Sequence, residues 1–377
     1  ALPTPKEEPV FAQNESLYRL LVKATRTNPD ERFQTADEMA SQLIGVLRET
    51  VAATGTPRPV ESTQFSGDNA EGLDDPDALD IRALPVPKPD PLDPAAGTIL
   101  AAASLTDPDQ VAAQFEQAMA RFPESVEAPL LLARARIEQG RYDDAEKLLK
   151  DAQANDPFDW QVTWLRALSA FAQGEHKKAF AGFDAVYSEV PGELAPKVAL
   201  AFAAESTGDY AAAATLYDRV SRTDPAFTSA AFGLARCRTK AKDRAGAVAA
   251  YGRIPATSRR YTLAQVALAR VLVRPELAPP GASELAQASV TVQALAMEGY
   301  ALHQLSVELL RAAIRQVEAR AIAPGSADKV LGQPLEATPL RLAVGRELRA
   351  CARFAKTREE QIALVDAANT ERPRTLL

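Results

Sequence analysis

"PLLLARARIEQGRYDDAEKLLKDAQANDP", residues 129–157, carries an alanine, a glycine, a second alanine, a large apolar residue and a proline in fixed order: Ala133, Gly140, Ala145, Leu149 and Pro157. That order returns with a step of 34 residues. The first alanine recurs as Ala167, Ala201 and Ala235, and the glycine as Gly174 and Gly208. The second alanine recurs as Ala179, Ala213 and Ala247, and the large residue as Phe183, Tyr217 and Tyr251. The proline recurs as Pro191 and Pro225, and Val111, Phe115 and Pro123 fall on the same grid upstream.

Each position has a physical reason. A small residue lets two antiparallel helices approach closely. Glycine takes the left-handed conformation that ends the first helix. The second alanine sits where the helices touch, and the large residue four positions later fills the gap to the next pair. Proline cannot extend a helix and ends the second one. A 34-residue period with these residues resembles the tetratricopeptide repeat, which predicts an all-α stack of helical hairpins over 95–261. The units run at about 92–125, 126–159, 160–193, 194–227 and 228–261, the first being weak. Beyond 261 the grid fades. A long helix is expected from about 284 to 322, then a loop at 323–334 and one or two closing helices, so that 262–377 caps the stack.

Upstream, residues 14–50 show helical spacing. Leu17, Leu20, Leu21 and Ala24 share one face, and "NP" at 28–29 breaks the run. Thr35 and Glu38 form a T-x-x-E capping box for a second helix, with Met39, Leu43, Val46 and Leu47 on one face. Two helices alone bury too little to fold. Residues 51–94 hold eight prolines and the acidic stretch "DNAEGLDDPDALD" (68–80), which predicts a linker with little regular structure. Its "RALPVP" (82–87) is apolar enough to dock on a neighbour.

Composition narrows the function classes. The chain has 377 residues, enough for two or three domains, with 46% hydrophobic and 25% charged residues. A net charge of −7 lacks the basic footprint of nucleic-acid binding and disfavours anionic membrane surfaces. No apolar run reaches the roughly 20 residues of a membrane span. Cys237 and Cys351 form no CxxC and read as reduced thiols in a cytoplasmic protein. His176 and His303 read as ordinary helix residues. The chain opens on Ala1 rather than Met, which suggests a fragment. No metal or cofactor site is expected.

"NPDERFQTADEM" (28–39) resembles the end of a eukaryotic-type protein kinase C-lobe. There Arg32 would pair with the glutamate of an A-P-E motif, Thr35 would cap the last helix, and Glu38 would complete the cap. A kinase ending, a proline-rich linker and then tetratricopeptide repeats resembles the protein kinase G family of the actinobacteria. "PGELAPKVALAFAAE" (191–205), "SAAFGLARCR" (229–238), "IPATSRRYTLAQ" (254–265), "LRLAVGRELRACAR" (340–353) and "ALVDAANTERP" (363–373) look like that family's repeat and tail segments. The resemblance implies that residues 1–50 end a kinase domain whose remainder uses ATP and Mg²⁺ on protein serine and threonine. It implies as substrate a forkhead-associated regulator of 2-oxoglutarate and glutamate metabolism. No G-x-G-x-x-G, V-A-I-K, H-R-D, D-F-G or A-P-E motif stands in this chain, so it is expected to be inactive alone, with Arg32 unpartnered.

The repeat pattern also marks a partner groove. Its lining would be Leu130, Arg134 and Ile137, then Trp164, Leu168 and Phe171, then Val198, Phe202 and Glu205, then Phe232, Arg236 and Lys240. The Lys/Asn clamp for C-terminal carboxylates is absent, which disfavours a chaperone-type partner. An empty groove would expose an aromatic stripe. Either the linker or the capping helices cover it, or it takes an amphipathic segment of another chain or a second copy in a homodimer. "DDPD" (74–77) reads as solvated linker, and Ser62 and Thr63 are candidate phosphorylation sites. "TSRRY" (257–261) reads as a solvated turn. Three functions compete: a regulatory and scaffolding portion of a serine/threonine kinase, a stand-alone repeat adaptor, and an exported scaffold. Arg32 and the capping box favour the first.

Overall fold

The structure, a computed structural model, describes residues 2–68, 75, 78–102, 104–105, 107–322 and 328–373. The chain is all-α apart from two two-residue strands among the described residues. It divides into two units, Ala1–Gly233 and Leu234–Leu377.

The first unit opens with α1 (Pro9–Gln13), α2 (Glu15–Ala24) and α3 (Ala36–Thr54). After the linker come α4 (Ala96–Ala102) and α5 (Pro108–Arg121), then three regular hairpins. These pair α6 (Glu127–Glu138) with α7 (Tyr142–Asn155), α8 (Trp160–Ala172) with α9 (His176–Glu189), and α10 (Ala195–Ser206) with α11 (Tyr210–Thr223). α12 (Thr228–Lys240) follows, and the division between the units falls inside it.

The repeat positions act as their chemistry requires. Gly140, Gly174 and Gly208 have φ of 75°, 77° and 82°, a region closed to residues with a Cβ except at a cost. Each lets the next N–H reach back to a carbonyl five residues earlier: Arg141 to Arg136, Glu175 to Ala170, Asp209 to Ala204. That satisfies carbonyls the helix end leaves open. Ala133, Ala145, Ala179, Ala201 and Ala213 are fully buried between helices, and Leu149, Phe183 and Tyr217 fill the spaces beside them.

The second unit holds α13 (Arg244–Tyr251), α14 (Tyr261–Val273), α15 (Ala282–Gln293), α16 (Tyr300–Glu318), α17 (Ala337–Ala352) and α18 (Arg358–Thr370). α14 packs on α15, α16 on α17 and α17 on α18. The long helix expected over 284–322 is two helices, interrupted over 295–299. The loop expected at 323–334 ends in a hairpin of β1 (Lys329–Val330) and β2 (Gln333–Pro334), turned by Leu331 and Gly332 at φ 48° and 77°. Two positive φ values make the turn that matches strand twist. In "TSRRY", Arg260 is buried, where a solvated turn was expected.

Candidate docking interface

α2 and α3 fold back on the second helices of the repeats, α9 and α11. The buried face of α3 is Gln42, Gly45, Val46 and Ala52, whereas Leu43 and Leu47 of the expected apolar face are exposed. Small residues decide this. A Cβ on Gly45 would collide with the Gly192 backbone, and one on Gly192 with the Gln42 backbone. Backbone meets backbone there, and the Gln42 Oε1 accepts the Gly192 N–H at 2.7 Å.

Around that contact lies a buried ionic network. Lys197 is fully buried, and its Nζ meets Glu49 Oε1 at 2.7 Å and donates to the carbonyls of Pro191 and Glu193, both at 2.7 Å. Two hydrogen bonds and one opposite charge thus compensate the buried ammonium, as burial of a charge requires. Glu49 also accepts from the Ser16 hydroxyl at 2.6 Å. With that proton committed, the Tyr187 hydroxyl donates to Ser16 Oγ at 2.7 Å and accepts from Arg219 at 2.9 Å. Arg19 bridges Glu15 at 2.7 Å and Asp184 at 2.6 Å, with its guanidinium 4.2 Å above the Tyr187 ring. Lys23 and Arg26 both reach Glu189, at 3.4 and 2.7 Å. Burial pushes the Lys197 pKa down against the pull of Glu49, and burial with the Glu49 charge pushes the Tyr187 phenol up. Burial also works against charged Glu15, but Arg19 and Arg219 outweigh it and hold its carboxyl below the ordinary range.

The residues singled out in "NPDERFQTADEM" take local roles. Thr35 Oγ1 accepts the Glu38 N–H at 3.0 Å, and Glu38 accepts the Gln34 N–H at 2.8 Å, one residue before the expected cap position. Glu38 also pairs with Lys23 at 3.2 Å. Arg32, expected to lack a partner, donates to the carbonyls of Arg26 at 2.7 Å and Thr27 at 3.3 Å, closing its own loop.

The linker runs along the starts of the first repeat helices. Asp93 accepts from Ser125 Oγ at 2.7 Å and from the N–H groups of Val126 and Glu127 at 3.0 and 3.1 Å, capping α6. Phe65 lies between Trp160 and Trp164 on α8, at ring distances of 5.0 and 5.1 Å. Ser62 donates to Glu193, just before α10, at 2.6 Å. Asp68 accepts from Thr228 Oγ1 and the Ser229 N–H, both at 2.8 Å, at the start of α12. Ala83 and Leu84 of "RALPVP" are buried, and the 3-10 turn Ile81–Ala83 lies against α8. Residues 64–66 and 86–88 form a short antiparallel ladder, with Ser66 N–H to Val86 O at 2.7 Å and Lys88 N–H to Gln64 O at 2.8 Å. Proline content forecasts an irregular chain here but says nothing of its anchors. Of the acidic run 74–77, only Asp75 lies among the described residues.

Most of the expected groove lining is buried, and Lys240 is exposed. Leu130, Ile137, Trp164, Leu168, Phe171, Val198, Phe202, Glu205 and Phe232 are all buried. Trp164 packs between Phe65 and Phe183, and Phe202 lies against Tyr217, whose hydroxyl donates to Glu205 at 2.8 Å. Arg134 pairs with Glu138 at 2.9 Å, and Arg236, in the second unit, is half-buried. Helical spacing alone does not separate a side chain facing a groove from one facing the neighbouring hairpin. Residues missed by sequence reasoning are Glu49, Glu193, Lys197, Phe65, Asp68 and Asp93, whose partners lie far along the chain. "STQF" between prolines is the one local signal. Among the described residues no group of three His, Cys, Asp or Glu side chains could hold a metal, and no helix is long and apolar enough to cross a membrane.

The family model described as protein kinase G tetratricopeptide repeat matches residues 41–375. The serine/threonine-protein kinase PknG of Mycolicibacterium smegmatis is 35% identical, over 98% of this chain and 52% of that protein. PknG of Mycobacterium leprae is also 35% identical, over 99% of this chain and 52% of that protein. The chain spans about half the length of the curated relatives it matches. Among solved structures, the C-terminal part of a repeat-containing protein from Cytophaga hutchinsonii is 11% identical over 72% of this chain and 98% of that one, with a TM-score of 0.48.

Proposed function

The chain belongs to the protein kinase G tetratricopeptide repeat family, and on that premise we propose that it is the regulatory and docking region of a serine/threonine protein kinase. In this reading α2 and α3 end the kinase C-lobe, and the repeats recruit protein substrates to it. The observation that carries the reading is the buried network joining Ser16, Arg19 and Glu49 to Tyr187, Lys197 and Arg219. A loose tether would let repeats and kinase move independently. A buried, directional contact holds them at one distance and orientation, which turns substrate capture into a high local concentration at the active site. The kinase portion would supply ATP and Mg²⁺ chemistry in the cytoplasm. The resemblance supports a forkhead-associated regulator of 2-oxoglutarate and glutamate metabolism as its substrate, and the repeats could equally serve a homodimer.

The test uses the intact kinase that carries this region. Gly192→Val should raise KM for a protein substrate several-fold, with KM for ATP and turnover of a short peptide unchanged. Unchanged kinetics on the protein substrate would overturn the reading.

A further inference from the structure

We propose that the starts of α8, α10 and α12, with residues 86–88 of the linker, form a peptide-binding seat that exchanges its resident segment, residues 62–68, for a partner-protein segment of the same chemistry: Ser-x-x-Phe-Ser-x-Asp.

Each anchor of the resident segment meets a built complement. The Glu193 carboxylate takes the Ser62 hydroxyl at 2.6 Å, and Glu193 is itself buried. That hydroxyl also accepts the N–H groups of Gln64 and Phe65 at 3.0 and 2.9 Å, so it shapes the turn that presents the ring. Trp160 and Trp164 hold Phe65 at 5.0 and 5.1 Å, and only 2% of the phenylalanine surface remains exposed. Asp68 sits on the α12 start, where Thr228 and Ser229 are buried and each donates at 2.8 Å. Between the anchors recognition is by main chain. Val86 O accepts the Ser66 N–H, Lys88 N–H donates to Gln64 O, and Val86 N–H donates to the Ser66 hydroxyl at 2.8 Å. This is strand addition, which fixes the anchors and leaves intervening residues free. Of the intervening residues Thr63 and Gly67 are exposed and Gln64 is half-buried, and the exposed flanking Glu61 pairs with Lys88 at 2.6 Å.

The resident segment is also suited to leave. It is seven residues long, with no helix between the end of α3 at Thr54 and the short 3-10 turn Ile81–Ala83 among the described residues. The three anchor sites lie at helix starts that do not need the segment's backbone to form, and only residues 86–88 are paired to it. A partner segment supplying the same hydroxyl, ring and carboxylate would replace each contact one for one. The inference concerns this chain alone, so it stands or falls separately from the kinase reading.

The chain's only two tryptophans, Trp160 and Trp164, both line the seat, so their emission reports its occupancy. The probe is the octapeptide ESTQFSGD, residues 61–68, titrated into the native chain and into Phe65→Ala. The variant's emission should shift from native and return as the peptide binds. The native chain should bind at least tenfold more weakly, because its own segment competes. A peptide keeping only the anchors, with the residues at positions 61, 63, 64 and 67 replaced, stands in for a foreign partner and should bind the variant within about threefold. The octapeptide with its phenylalanine changed to alanine should not bind. Failure of a helical Phe65→Ala chain to bind the octapeptide, equal affinity for both chains, or binding of the Phe-less peptide would overturn the proposal. If Phe65→Ala loses helicity by circular dichroism, Asp68→Ala replaces it under the same criteria.

Discussion

Lys242 occupies the left-handed region at φ 60°, on the step where the three preceding repeats carry glycine at φ 75–82°. It makes the same closure, with the Asp243 N–H reaching the Arg238 carbonyl at 2.9 Å. A residue with a Cβ loses roughly 1–2 kcal/mol in this conformation. Part of that is returned by the larger entropy glycine loses on folding. Lys242→Gly should therefore stabilise the chain by about 1 kcal/mol, read from the urea midpoint at constant m. Lys197 is the other residue whose surroundings set its worth. Removing one member of a buried ion pair leaves the other unpaired, which costs about 3–5 kcal/mol. Lys197→Met should destabilise by that amount. Adding Glu49→Leu should recover much of it, since two apolar side chains leave no charge in the interior; a double-mutant cycle in urea would show the coupling.

At the scale of elements, Asp93 belongs to the linker yet caps α6. Burial would raise its pKa, but four hydrogen bonds to the carboxylate, from Ser125 and the N–H groups of Ala95, Glu127 and Val126, outweigh burial and lower it. A carboxyl lowered in the folded state contributes stability that is present above its unfolded pKa, near 4, and is lost as pH falls through the folded value. Glu127 beside it acts in the opposite sense. Burial and, after it, the Asp93 charge raise its pKa, so its unfavourable contribution grows as pH rises through that value. Asp93→Asn should reduce stability at pH 7 by about 1–2 kcal/mol, the usual worth of a cap. It should also flatten the loss of stability between about pH 4 and pH 2. Urea midpoints across that range check both parts.

At the scale of the first unit, the weak point is the glycine pair of α3 and the turn before α10. A side chain at Gly192 has no space against Gln42, and the ionic network depends on that approach. Gly192→Val should free residues 2–54 from the repeats while the hairpins α6–α11 keep their own cores. Limited proteolysis should then cut within 26–34 at least tenfold faster, with most far-ultraviolet helicity retained. Equal cleavage of native and variant chains would show that the two helices dock by other contacts. The exposed Leu43, Ile44 and Leu47 on the opposite face of α3 remain available in either state.

The hairpins were legible because their determinants are local and repeated. Ala145, Gly174 and Pro191 each act within one 34-residue unit, so a periodic sequence is enough to specify them. The caps at Thr35 and Gly208 were legible for the same reason: the groups they satisfy lie within a few residues. What the sequence left open is which face of each element meets another. Trp164 and Phe202 have the spacing of groove residues, yet their surroundings are supplied by Phe65, Phe183 and Tyr217. Lys197 lies 148 positions from Glu49, and Asp68 lies 160 from Thr228. Such pairs carry no period and no local pattern. Only the packed fold brings them together, because the low-dielectric interior makes each buried charge find its partner wherever the chain places one.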